Sequence, residues 1–153
     1  MSGHTIELIR FIIKMIKVSV STNKELKEFG EKEWAFVNVE HYGKNLDYQQ
    51  KDFIFKATEN RKIVGSIKFS HEAGVLTINY LITAHDKRGL GIGKALTLKA
   101  EEEARKLGAH KIYLVTGKGW EAEKFYQALD YEQAGILKNH NFHEDFIAYE
   151  KFI

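Results

Sequence analysis

Residues 85–96, HDKRGLGIGKAL, constrain this chain more than any other stretch. Gly89, Gly91 and Gly93 alternate where a strand-like run, LTINYLIT, gives way to helix-forming sequence. A tight turn needs one or two residues with positive φ, and a helix start favours Ser, Thr, Asp or Asn. Alternating glycines meet a different demand, the close approach of another group to the backbone. A strand that turns directly into a helix gathers unpaired N–H groups and the positive end of the helix dipole at one point, which attracts anions. Arg88 and Lys94 flank that point and add charge-assisted donors for a polyphosphate. Spacing removes two alternatives. GLGIGKA is too short for a Walker A loop and has Ala95 after the lysine, and a G-x-G-x-x-G fingerprint begun at Gly89 ends on Lys94.

The rest of the chain is one globular domain by length and composition, 153 residues of which 44% are hydrophobic. We expect a single domain over 1–153, with 1–14 an N-terminal extension forming an added strand or helix at the edge. Cysteine is absent and the seven histidines are scattered, so no metal site is expected. The lack of cysteine fits a reducing, cytoplasmic setting. A net charge of +2 is too balanced for a nucleic-acid binder. Arg10, Lys14 and Lys17 break the apolar N-terminal stretch into pieces too short for a membrane span or a secretory signal. No nucleic-acid or membrane partner is expected, and a homodimer is left open.

Met15 to Val20 reads as a first strand. A helical run follows from a cap at Ser21, Thr22 or Asn23, with a break or kink at Gly30. Three apolar runs separated by ENRK and HEAG predict an antiparallel meander near 52–58, 62–70 and 74–83, with Asn60 and Gly74 at the turns. A helix over about 91–107 carries Ile92, Ala95, Leu96, Ala100, Ala104 and Leu107 on one stripe. Glu101 with Arg105 and Glu102 with Lys106 fall outside it, and Gly108 stops it. HKIYLVT reads as an interior strand, EAEKFYQAL as a second helix, and strands near 131–138 and 144–152 close the chain. The fold class is therefore α/β (α+β): a mixed, mostly antiparallel central sheet flanked by helices.

RGLGIG fills the pattern R-x-x-G-x-G with Arg88, Gly91 and Gly93 between a strand and a helix, and this resembles the acetyl-CoA motif of the GNAT superfamily of N-acetyltransferases. GWEAEKFYQALDY is similar to that family's second signature, N-x-x-A-x-x-F-Y-x-x-x-G-F, through Ala122, Phe125 and Tyr126. The chain departs from the pattern at Gly119 for asparagine, Asp130 for glycine and His85 for a proline. The element order over 15–153 is also that of the family.

The resemblance implies transfer of an acetyl group from acetyl-CoA to a primary amine of a small molecule or peptide, by direct attack with both substrates bound. It implies that the backbone of Arg88, Gly89, Leu90, Gly91, Ile92, Gly93 and Lys94 holds the pyrophosphate. Main-chain groups at Ile82 and Thr83 would bond the pantetheine arm, and Tyr126 would protonate the departing thiolate. On spacing alone Tyr126 reads first as a core residue of its helix stripe, and the family match is what favours the acid role. The family's glutamate position falls on Val75, leaving Glu72, Asn79, Tyr80, Glu33, His85 and His143 as candidates for a base, each also readable as a surface or turn residue. Trp34, Tyr42, Tyr48 and Trp120 are candidate walls of an amine pocket. The alternative of a different class is a non-catalytic acyl-CoA sensor or regulatory module.

Overall fold

The computed structural model describes residues 3–153, except the side chains of 11–15. Residues 1 and 2 of the expected extension lie outside the described residues. The chain divides into two compact units, Met1–Leu46 and Asp47–Ile153.

The first unit is helical. Helix α1 spans Gly3–Met15 and α2 spans Asn23–Tyr42. The extension is thus a helix, and the strand expected over Met15 to Val20 is not formed. Met15 closes α1, and residues 16–22 have no regular structure, with Val18 and Val20 more than 90% exposed. The alternation Ile16, Val18, Val20 suits a pleated surface, but a strand exists only where a ladder partner completes its backbone bonds. Thr22 is the cap of α2, its Oγ1 accepting the Glu25 N–H at 3.2 Å. Gly43 ends α2 at φ 70°, donating to the Val39 carbonyl at 3.0 Å. The expected break at Gly30 is absent. One interior glycine costs about 1 kcal/mol, which the two caps offset.

The second unit holds a six-stranded sheet of order β1-β2-β3-β4-β6-β5. Its strands are β1 (Lys51–Glu59), β2 (Lys62–Glu72), β3 (Val75–Thr83), β4 (Lys111–Gly117), β5 (Glu132–Leu137) and β6 (Phe146–Phe152). All neighbours are antiparallel except β3 and β4, so the expected mixed, mainly antiparallel sheet is present. The meander turns on Asn60-Arg61 and Ala73-Gly74, each pair at positive φ, as two-residue hairpins require.

Two helices cover this sheet, α3 (Ile92–Lys106) and α4 (Glu121–Gln127). Ile67, Phe69, Leu76, Ile78, Ile112 and Leu114 of the strands meet Leu96, Ala100 and Ala104 of α3 in the core. Small residues on α3 let it lie close to the sheet. The stripe differs from expectation at Ala95, Thr97 and Glu101, Thr97 being fully buried. Ala95 is exposed, whereas Glu101 is buried at 2% exposure. Glu101 accepts from Lys151 Nζ at 2.9 Å and from the Tyr131 hydroxyl at 3.3 Å, which satisfies the charge that burial would otherwise penalise. Among the described residues, no helix is long and apolar enough to cross a membrane.

Candidate active site

The parallel ladder between β3 and β4 is short, running only from Val75↔Lys111 to Ile78↔Leu114. Beyond it Asn79 is an extra residue against β2, since Lys68 pairs with Tyr80 and Phe69 with Ile78. A bulge of this kind bends the bulged strand and ends regular pairing. Residues 79–83 therefore continue along β2 but leave β4, and a wedge opens between Thr83 and Gly117. Main-chain groups on the wedge side of β3 have no ladder partner from β4.

The glycine loop crowns the wedge. Gly89 and Gly91 have φ of 77° and 83°, a region costly for residues with a Cβ, and nothing lies within 4 Å of the space a Cβ would take at either. Gly91 is the N-cap of α3 without a side-chain cap, and the first intrahelical bond runs from Ala95 N–H to the Gly91 carbonyl at 2.9 Å. The amides of Ile92, Gly93 and Lys94 precede that bond and have no intrahelical acceptor. Helix starts ordinarily attract acidic residues, yet α3 has none in its first turn and carries Lys94 there. A helix start of this kind keeps its free amides available to an anion.

Gly93 matters differently. A Cβ there would stand in ordinary contact with the Phe125 ring at 3.5 Å and Thr83 Oγ1 at 3.6 Å, so the α3 start, the β3 end and α4 meet at this residue. Thr97 fixes the turn by donating from Oγ1 to the Gly93 carbonyl at 2.9 Å. Lys87 pairs with Glu59 at 2.5 Å and ties the segment before the loop to the β1–β2 turn.

Loop, wedge and α4 enclose a cavity of about 930 Å³, within the range of ligand sites. Ile82, Thr83, Arg88, Gly89, Gly91, Ile92, Gly93, Lys94 and Tyr126 all line it, which gathers the expected site residues in one place. Leu90 is in the loop but not in the lining, its side chain 66% exposed. Tyr126 is buried at 6% exposure, its ring edge-on to Phe125 and Tyr131 at 5.0 and 5.5 Å between centroids. Burial pushes its hydroxyl up to about 12, so it is a neutral O–H donor at physiological pH.

Trp120 also lines the cavity, lying flat on Gly117, where any Cβ would fall inside the indole, and edge-on to Phe146 at 5.6 Å. Of the candidate bases, Glu72 sits at the β2–β3 turn opposite Val75, at the far end of β3 from the loop. Eight steps of about 3.3 Å put it roughly 25 Å from Thr83, out of reach. Asn79 and Tyr80 stand on the wedge, with Tyr80 Oη 3.5 Å from Ser66 Oγ. His85 is exposed before the loop, and His143 contacts Asn139 in the β5–β6 turn. Glu33, Trp34 and Tyr42 belong to α2 of the other unit.

Two residues escaped the sequence reading. Gly65 on β2 faces the start of α3 so closely that a Cβ would come within 2.8 Å of Ile92 and 3.0 Å of Leu96. Glu123 on α4 accepts the Gly119 N–H at 2.5 Å and the Tyr149 hydroxyl at 2.7 Å. A glycine inside an apolar strand run was the available signal for the first.

A strand that parts from its neighbour beneath a glycine-capped helix start, with a cavity between them, is the arrangement that defines the class of this fold. The family model for the acetyltransferase (GNAT) domain matches residues 18–149, and the chain belongs to that family. No curated protein matches it in sequence. Among solved structures it is similar to an acetyltransferase from Bacillus cereus ATCC 14579, with a TM-score of 0.72 and 20% identity over 92% of this chain and 99% of that one. The ribosomal-protein-S18-alanine N-acetyltransferase from Escherichia coli gives 0.63 and 17% over 90% and 93%. A GNAT family acetyltransferase from Elizabethkingia anophelis with acetyl-CoA bound gives 0.61 and 19% over 65% and 75%. These likenesses concern the fold.

Proposed function

We propose that the protein is a single acetyltransferase domain over 1–153 that moves an acetyl group from acetyl-CoA to a primary amine of a small molecule or peptide. The observation that carries this reading is the cavity itself. An acid-free helix start with Lys94 stands at one end of it, and the buried Tyr126 hydroxyl stands along its wall. The acetyl-CoA in the Elizabethkingia protein and the alanine acceptor named for the Escherichia coli enzyme support the choice of donor and acceptor.

The pyrophosphate lies against the amides from Gly89 to Lys94, assisted by Arg88. The pantetheine arm bonds the open edge of β3 at Ile82 and Thr83 in the manner of an added strand. Holding thioester and amine in line removes much of the barrier before any proton moves. The free amine nitrogen attacks the thioester carbonyl carbon, giving a tetrahedral oxyanion. That intermediate collapses with cleavage of the C–S bond. The sulfur takes the Tyr126 proton, the nitrogen gives its proton to water, and solvent restores the phenol. Desolvation raises the phenol, and it raises a thiol formed in the same cavity as well, which keeps donor and acceptor matched.

The test is release of free thiol from acetyl-CoA across a panel of amines, repeated with Tyr126→Phe. Loss of a general acid lowers kcat by about 10² to 10⁴ with cofactor binding largely retained. A folded variant with wild-type kcat, when chemistry limits turnover, removes Tyr126 from the mechanism.

A further inference from the structure

Helix α4 carries Tyr126 but is only seven residues long and begins at Trp120 without a side-chain cap. Two turns do not hold themselves in water, so their placement must come from tertiary bonds. Among the described residues the Tyr126 hydroxyl has no hydrogen-bond partner, and the side chain is held by apolar packing in the core, edge-on to Phe125 and Tyr131. The aim of that O–H is therefore set by where the α4 backbone sits and how it is rotated.

One fully buried side chain fixes both. Tyr149 projects from β6, which is paired on both sides, to β4 and to β5. Its hydroxyl donates to Glu123 Oε2 at 2.7 Å and accepts from Gln127 Nε2 at 2.9 Å. Residues 123 and 127 are one turn apart, so a single oxygen grips the first and last turns of α4 on one face. The other carboxylate oxygen of Glu123 takes the Gly119 N–H at 2.5 Å. That bond supplies an acceptor just ahead of the helix, at the place where the family pattern has asparagine and this chain has glycine. The Gly119 amide and the Tyr149 hydroxyl both hold the Glu123 carboxyl below the usual carboxylate range, the amide more strongly.

We propose that Tyr149, with Glu123 and Gln127, is a positioning device that aims the Tyr126 hydroxyl into the cavity, an inference that rests on the acid role of Tyr126. Reacting groups must be held within about 0.5 Å and 10–20° to act, a tolerance that a slight roll of α4 exceeds. Neither Tyr149 nor Glu123 needs to touch substrate for this.

The experiment is a double-mutant cycle between Tyr149→Phe and Tyr126→Phe, reading kcat, the acetyl-CoA dissociation constant and the melting midpoint. Tyr149→Phe in the wild-type background should lower kcat about tenfold and leave the dissociation constant within about threefold. In the Tyr126→Phe background the same change should cost nothing further, because the hydroxyl being aimed is gone. An equal loss in both backgrounds, or no loss in either while Tyr126→Phe alone is slow, overturns the positioning role and leaves the acid role standing. Wild-type kcat in Tyr126→Phe overturns both. If Tyr149→Phe does not fold, Gln127→Leu at an exposed position removes one of the two bonds. It should cost about threefold in kcat, again only where Tyr126 is present; an unchanged kcat, or the same loss in both backgrounds, overturns the role.

Discussion

Gly65 and Ile92 are 27 positions apart, yet a Cβ at Gly65 would stand 2.8 Å from Ile92 Cγ2, with the Ile82 carbonyl oxygen at 3.2 Å behind it. The start of α3, and with it the free amides of its first turn, rests on the bare backbone of β2. Gly65→Ala must push either the helix start or the end of β3, and overpacking of this kind costs about 1 to 3 kcal/mol. The expected outcome is a melting midpoint lower by about 2 to 12 °C and weaker acetyl-CoA binding. An unchanged midpoint and dissociation constant would mean that the helix start does not need this contact.

Acetyl-CoA itself should raise the midpoint. With a dissociation constant of about 10 μM, about 1 mM ligand adds about 2.7 kcal/mol, or roughly 5 to 10 °C. Gly91→Asp should abolish that rise, and Gly91→Asn separates the reasons. Both side chains bear similar strain in the left-handed backbone seen at φ 83°, but only aspartate sets a negative charge at the proposed pyrophosphate site. Retained binding in a folded Gly91→Asp protein would remove the anion from this loop.

The parts of the site legible in sequence were those whose signal is local. The glycine alternation, the turns at Asn60 and Gly74, and the Ala122, Phe125, Tyr126 spacing each describe one element or one turn. What escaped depended on a partner far along the chain. Glu101 reads as an outward half of an i,i+4 pair with Arg105, and only Lys151, fifty positions later, makes its burial tolerable. Glu123 looks like an ordinary helix-start acid until Tyr149 is placed behind it. The alternation of Ile16, Val18 and Val20 states a preference for a sheet surface and does not supply the neighbouring strand.

The pair between buried Glu101 and partly buried Lys151 gives a stability test. Lys151 Nζ lies 2.9 Å from both Glu101 Oε1 and the Leu129 carbonyl oxygen. Lys151→Met keeps the aliphatic stem but leaves Glu101 with Arg105 at 3.5 Å and the Tyr131 hydroxyl. Lys151 is one-fifth exposed and Glu101 keeps two other partners, so removing the lysine costs about 2 kcal/mol. Thermal unfolding should show this loss, while Lys106→Met on the exposed side of α3 leaves the midpoint unchanged. Adding Glu101→Gln to Lys151→Met should recover much of it, since the charge is gone and the amide oxygen still accepts from Tyr131. No recovery would place the loss in packing.

Alkaline pH tests the burial of Tyr126 directly. Its hydroxyl is pushed from the ordinary 10.0 up to about 12, by desolvation alone. The folded value lies above the unfolded one, so its contribution to stability is complete below pH 10 and disappears as pH rises through the interval to 12. Two units correspond to about 2 to 3 kcal/mol at most, and the open cavity on one side of the ring lowers this toward 2. Subtracting a phenolate absorbance titration of Tyr126→Phe from that of the native protein should isolate one tyrosine ionising well above pH 10. The same variant should lose less stability than wild type between pH 10 and the onset of unfolding. A difference titration centred on 10 would mean that water solvates this hydroxyl freely. Tyr126 would then share no desolvated cavity with the leaving sulfur, and the matching of donor to thiolate would fail with it.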